Sequence, residues 1–257
     1  MILLLSPSKN LSLESRLIDN ISSTPIFKTE ANEIMGILSQ YDIHDLCEYL
    51  KCNIDIATRA KRWAYDFADL SQLEYNSIFM FTGVAFQQLE ANDFTYEELE
   101  FSQNHLRIGS GCYGILRPLD TIKPYRLDYF TKLPDIDGDM RKYWRERITD
   151  VLLNELKKDD GVLVNLASNE TFTAFDTKRL CKEAKVIDIQ FKQFVGNELK
   201  TVPTVYAKQA RGSVARFIIK NKIQNMDGLK SYTDMGMLYF DEMSDENVIV
   251  YLYEKNY

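Results

Sequence analysis

Residues Gly109 to Gly114 read Gly-Ser-Gly-Cys-Tyr-Gly and match the spacing G-x-G-x-x-G. In a dinucleotide fold such glycines let a turn approach a pyrophosphate. That fingerprint needs a strand before it, a helix opening within it and an acid about 20 residues later. Here a helical pattern comes first, Pro118 follows closely, and the nearest downstream acids are Asp120 and Asp128. The context argues against a nucleotide fold. A helix, a glycine turn and a short helix instead outline a helix-hairpin-helix, in which Gly111 and Gly114 bring backbone N–H groups to a phosphate. Arg107 and Arg117 flank the turn, where phosphate-directed side chains are useful. The competing account is a structural turn whose arginines pair with the acidic run Glu97, Glu98 and Glu100.

The chain carries 31 Lys and Arg against 38 Asp and Glu, a net charge of −7. Its positive charge is nonetheless concentrated. Between His105 and Arg126, the cations Arg107, Arg117, Lys123 and Arg126 meet a single acid, Asp120. Between Lys208 and Lys222 stand Lys208, Arg211, Arg216, Lys220 and Lys222 with no acid at all. Overall charge governs solubility, whereas a local basic surface decides which anion docks. The two runs are expected to converge on one face and hold a polyanion through Arg107, Arg117, Lys123, Arg126, Lys208, Arg211, Arg216 and Lys220. The alternative is a pair of solvated faces occupied by scattered ion pairs.

Other constellations carry less. Asp135, Asp137, Gly138 and Asp139 with Glu146 resemble a calcium loop, but Met140 stands where the loop needs glycine, so a turn and helix cap are expected. His44, Cys47 and Glu48 share a helical face near Cys52, a set that would suit a soft metal, yet isolated His and Cys on an amphipathic helix are ordinarily packed. No metal and no cofactor are expected. Polar residues at the carboxyl end of a buried strand are where α/β proteins place binding groups. Asn165, Ser168 and Glu170 are therefore expected to line a cleft together with Ser6 and Lys9. No histidine lies near Ser168 in sequence and no catalytic constellation emerges, so a binding protein is expected, not an enzyme. Cys112 lies between Arg107 and Arg117, where positive charge favours a thiolate. If exposed, it should be the most oxidation-sensitive of the four cysteines.

The elements that must position these groups follow from periodicity. Ile2–Leu5 predicts a buried strand, and 29–70 a helical region with Asn53 capping its last helix. A strand is expected at 77–81 and a helix from Gly83 to Leu89. Thr95 and Glu98 form a capping box for a helix from Tyr96 to His105. A short helix is expected at 115–122, an extended segment at 125–129, and a long helix at 140–157 capped by Asp139. Strands are expected at 161–167, 186–195, 201–207, 237–240 and 248–253, with a helix at 209–222 and Ser168 capping another. This interleaving predicts one α/β domain over residues 1–257, a mixed sheet with flanking helices. At 45% hydrophobic and 27% charged, the composition is that of a globular protein and excludes a disordered or fibrous class. The four cysteines lack a C-x-x-C pair, the opening apolar run is too short for a signal peptide, and no apolar run approaches the roughly 20 residues of a membrane span. A cytoplasmic location without membrane attachment is expected.

Several longer words, taken together, resemble the YaaA-type peroxide stress protein family of bacteria. They are Leu3 to Lys9, His105 to Ile108, Tyr113 to Asp120, Pro124 to Leu127, Val164 to Ser168, Lys208 to Gly212 and Ala215 to Ile219, in that order. The resemblance implies an α/β fold of its own type with a positively charged cleft and a helix-hairpin-helix-like element. It also implies DNA binding, tied to repair and to limiting damage from peroxide and intracellular iron; if the two basic runs contact phosphates, that binding is expected to be largely independent of sequence. Two departures bear on this. The family usually carries leucine where Cys112 stands, and two residues separate Gly111 from Gly114, looser than the usual hairpin. An enzyme acting on a small anionic or nucleotide substrate in the same cleft is the alternative.

Overall fold

Ile2–Leu5 is a run of four aliphatic residues with no polar alternation, which suits a strand covered on both faces. In the computed structural model, which describes residues 1–253, this segment is an interior strand of the sheet, β1. Residues 254–257, the end of the expected domain, lie outside the described residues. After β1 come α1 (Lys28–Leu38), α2 (Ile43–Tyr49), α3 (Ile54–Asp66), β2 (Tyr75–Asn76), α4 (Ser77–Met80), α5 (Val84–Leu89) and α6 (Tyr96–His105). The middle of the chain forms β3 (Leu106–Ser110), β4 (Gly114–Leu116), β5 (Thr121–Ile122), α7 (Met140–Lys158), β6 (Val162–Leu166), α8 (Asn169–Phe172) and α9 (Thr177–Glu183). It closes with β7 (Lys185–Val195), β8 (Glu198–Thr201), α10 (Thr204–Lys220), α11 (Met226–Lys230), β9 (Met237–Tyr239) and β10 (Val248–Tyr253).

The main sheet has the order β4-β3-β1-β6-β7-β10-β9, with β8 folded back on β7. Strands β3, β1, β6, β7 and β10 are parallel, while β4, β8 and β9 are antiparallel additions. The fold is therefore a single α/β unit with a mixed, mostly parallel sheet flanked by helices, as expected. Leu5 stands level with Ile108 on one side and Leu166 on the other, so β1 and β6 finish together while β3 runs two residues further. From β1 the chain passes to β3 on one flank and then to β6 on the opposite flank. That reversal opens a crevice outside the carboxyl ends of β1 and β6, the place where open α/β sheets bind ligands.

Local signals are realised where they are self-contained. Thr95 and Glu98 form the expected capping box, Asn53 and Asp139 cap α3 and α7, and Ser168 caps α8. Three expectations are corrected. The glycine turn does not join two helices: Leu106 to Ser110 and Gly114 to Leu116 pair as an antiparallel hairpin. The Ser110 N–H donates to the Tyr129 hydroxyl at 3.0 Å, and Ser110 Oγ accepts from the Tyr113 N–H at 2.9 Å. Gly114 adopts φ +68°, and a Cβ there would lie 2.7 Å from the Trp144 ring. These contacts from distant residues decide for a hairpin packed under α7, and the expected short helix at 115–122 becomes β4, a turn and β5. At 77–81 a single helical turn replaces the strand, with Ser77 Oγ bonded to the carbonyls of Arg117 and Pro118. Finally, β8 ends at Thr201 and α10 starts at Thr204 after Pro203, so the alternation through Tyr206 belongs to a helix's first turns.

One continuous hydrophobic core lies on both faces of the sheet, with Trp144, Ile148, Leu152 and Leu156 of α7 fully covered. Among the described residues, no helix is long and apolar enough to cross a membrane.

Candidate functional site

A cavity of about 540 Å³ occupies the crevice at the carboxyl ends of β1 and β6. Its floor comes from the chain leaving those strands, Ser6 to Asn10 and Ser168 to Thr171. One wall is the start of α5, from Gly83 to Phe86, and another is the segment Tyr125 to Tyr129. The start of α10 completes it with Thr204, Val205, Lys208 and Arg211. α10 reaches this position because Gly212 lies against α5: a Cβ there would collide with the Ala85 carbonyl. Gly111 serves the same purpose on the hairpin side, where a Cβ would sit 2.5 Å from the Leu127 carbonyl oxygen. Both glycines set how close the walls approach.

The floor is a small hydroxyl network. Ser6 Oγ accepts from the Ser168 N–H at 2.8 Å and donates to Ser168 Oγ at 3.1 Å. Above it stand four cations from three segments. Lys9 Nζ pairs with Asp128 at 2.6 Å, and Arg126 donates to the Lys9 carbonyl at 3.1 Å. Lys208 is exposed and has no ion-pair partner among the described residues. Arg211 is half-buried, and its Nε–H is covered yet, among the described residues, bonded to nothing. Burial pulls the Arg211 guanidinium below its usual range, and only the more distant Asp188 acts against this. A buried donor without an acceptor is costly, and a bound anion would satisfy it. Glu170 and Asp128 add negative charge to the rim, so the cavity is mixed in sign but has cations in excess.

Residues 1–243 match the model of the peroxide stress protein YaaA family. The chain belongs to that family. Relatives named UPF0246 protein include one from Parabacteroides distasonis, 37% identical over 99% of this chain and all of its own length. Another, from Bacteroides thetaiotaomicron, is 35% identical over 98% of each chain. A third, from Clostridium perfringens strain SM101, is 39% identical over 98% of this chain and 99% of its own. Family membership supports a role in peroxide stress, while the relatives' name specifies no reaction.

In this YaaA-family chain the two basic runs do not converge as wholes. Arg126, Lys208 and Arg211 reach the cavity; the others are engaged elsewhere. Arg107 is 5% exposed, with Nε and Nη2 on the Glu155 carboxylate at 2.7 and 3.0 Å and Nη1 on two carbonyls. Arg117 Nη2 binds the fully buried Asp120 at 2.8 Å and also the Thr24 carbonyl. Lys123 is buried and its ammonium caps the end of α3 through the carbonyls of Phe67 and Asp69, at 2.8 and 2.7 Å. Burial lowers its pKa. Arg216 clasps Asp93, Lys220 binds Glu98 at 3.0 Å, and Lys222 binds Glu97 at 3.0 Å. Acid pairing does occur on the Glu97–Glu98 strip, but through Lys220 of α10 and Lys222 just past its end, and not through Arg107 or Arg117. Gly111 lines the cavity, whereas Gly114 is packed beneath α7.

Of the expected cleft residues, Ser6, Lys9, Ser168 and Glu170 line the cavity. Asn165 does not: it is 5% exposed, donating to Asp188 at 2.9 Å and accepting from the Ala167 N–H at 3.0 Å. It shapes the strand's exit from below. Asp128, Thr204 and the Gly83 to Phe86 wall escaped the sequence reading, because they reach the site only through packing of segments far apart in the chain. Cys112 is fully buried, and burial pushes its thiol well up, so the condition for its reactivity is not met. Asp139 caps α7 and Asp137 pairs with Lys142 at 2.7 Å, the expected turn and cap. Among the described residues, no group of three or more His, Cys, Asp or Glu could hold a metal ion.

Proposed function

We propose that this YaaA-family chain serves the peroxide stress response in the cytoplasm by holding DNA through its phosphates at the β1/β6 cavity, as a binding protein and not a catalyst. The observation that carries this reading is the convergence of Lys9, Arg126, Lys208 and Arg211 in a chain of net charge −7. Arg211 adds direction, since its orphaned N–H calls for an anionic acceptor. Thr204 and Val205 lie in the first turn of a 17-residue helix, whose amino-terminal partial positive charge adds to the field. With three cations that have no carboxylate partner among the described residues, and Lys9 exchanging Asp128 for a phosphate, log K should fall against log salt with a slope of roughly −3 to −4 on duplex DNA, whatever its sequence. Salt-titrated fluorescence anisotropy with two unrelated duplexes tests this. Binding that ignores salt, or a tenfold preference between the duplexes, would sink it.

A second reading is favoured by the enclosure itself. A concave site of about 540 Å³ at the sheet's switch point has the size of a nucleotide-scale ligand, and Val84, Phe86 and Leu127 offer it apolar walls. A small phosphate-bearing substrate would then occupy the cations that otherwise meet DNA. Thermal melts with mononucleotides separate the two: a rise of several degrees with a mononucleotide and none with a duplex favours the small ligand.

A further inference from the structure

The residues that end α2 bring two thiols together. Leu50 closes the helix, Lys51 follows in the left-handed region at φ +48°, and the chain turns back on itself. The Lys51 N–H donates to the Glu48 carbonyl at 3.3 Å and the Cys52 N–H to the Cys47 carbonyl at 3.1 Å. That pair of bonds is a Schellman motif, in which the side chain two past the end frequently packs on the one three from the end. Here those positions are Cys47 and Cys52. With a 3.1 Å bond between their backbones, covalent geometry leaves the two Cα atoms less than about 7 Å apart, within the limit a disulfide can bridge. Both cysteines are half-buried at the edge of the core, so a small solute reaches them. Of the other two thiols, Cys112 is fully buried and Cys181 is exposed on α9.

We propose that Cys47 and Cys52 form a peroxide-oxidisable dithiol that closes to an intramolecular disulfide and is reopened by thiol reductants. The proposal stands apart from whatever occupies the cavity. The thiolate of one cysteine attacks an oxygen of hydrogen peroxide. An S–O bond forms, the O–O bond breaks, and the departing hydroxide takes up a proton to become water. The second sulfur then attacks the sulfenic sulfur: the S–S bond forms, the S–O bond breaks, and the hydroxyl leaves as water with the second thiol's proton. Two thiols and one peroxide give one disulfide and two waters, the sulfurs supplying both electrons. Burial raises the Cys52 thiol, and the neighbouring Cys47 adds to the rise.

Lys51 lies between the two cysteines and makes the test sharp. The full-length protein is treated with hydrogen peroxide, quenched with iodoacetamide and digested with trypsin, which cuts after Lys51. In reduced protein the two peptides separate, each alkylated. After oxidation they should travel as one disulfide-joined pair in most molecules, before Cys112 is modified, and separate again with dithiothreitol. Cys47→Ser and Cys52→Ser should each abolish the joined pair, and Cys181→Ser should leave it intact. Alkylation of both Cys47 and Cys52 after peroxide, while Cys181 is oxidised to completion, would overturn the proposal. Because the decisive reading is on the unaltered chain, a variant that fails to fold does not blunt it.

Discussion

The two halves of α10 carry the same kind of charge and use it in opposite ways. Lys208 and Arg211, near its start, face the cavity with no carboxylate partner among the described residues, whereas Arg216 and Lys220, one to three turns on, are bound to Asp93 and Glu98. An acid-free basic run is thus no guide to where its charge is available. What decides is whether another element brings carboxylates to it, as α6 and the turn before it do for the far half. The same division separates Arg126, at the cavity, from Arg107 and Arg117 of its own run, both committed to carboxylates. A charge committed to a partner stabilises the fold; an uncommitted one is free for a ligand.

The largest expected effect lies on the committed side. Arg107→Ala leaves Glu155 facing a largely buried gap and strips two carbonyls of their donor, which should cost about 3–5 kcal/mol in chemical denaturation. Next comes Arg216→Ala, which removes a surface clasp and should cost about 1 kcal/mol with no change in DNA binding. This clasp also has a pH signature. The Arg216 hydrogen bond holds Asp93 down at about 2, from an ordinary 3.8. Its contribution is complete above about pH 4 and drains away as the pH falls toward 2. Comparing denaturation midpoints at pH 6 and pH 3 should therefore show the parent losing more than Arg216→Ala. Equal losses would detach Asp93 from Arg216.

The smallest stability effect belongs to the uncommitted side. Arg211→Met keeps the packing of the stem and removes a desolvated, unpartnered charge, so stability should stay within about 0.5 kcal/mol of the parent. A thermal melt that drops by more than 10 °C would mean that Arg211 is structural after all.

Much of the framework was legible because its signals are local. Ile2–Leu5 has nowhere to go but the interior, and Thr95 with Glu98, or Asp139 before Met140, mark helix starts by hydrogen bonds within three residues. The glycine turn was misread for the opposite reason. Gly109 to Gly114 is compatible with several turns, and the choice of a hairpin lies with Tyr129 and Trp144, which bind it from 19 and 33 residues away. The candidate site was half legible. Ser6, Lys9, Ser168 and Glu170 follow from standing at strand ends, a position a buried apolar run reveals. The sorting of the cations was not, since Glu155 and Asp93 are distant in sequence from the arginines they bind and nothing in either run announces them.

The sharpest test of this division is the salt dependence of duplex DNA binding, measured side by side for the parent, Arg211→Met and Arg216→Met. The account predicts that Arg211→Met lowers the slope of log K against log salt by about one, while Arg216→Met retains the parent's slope. The reverse pattern, with Arg216→Met flattening the slope and Arg211→Met matching the parent, would contradict it.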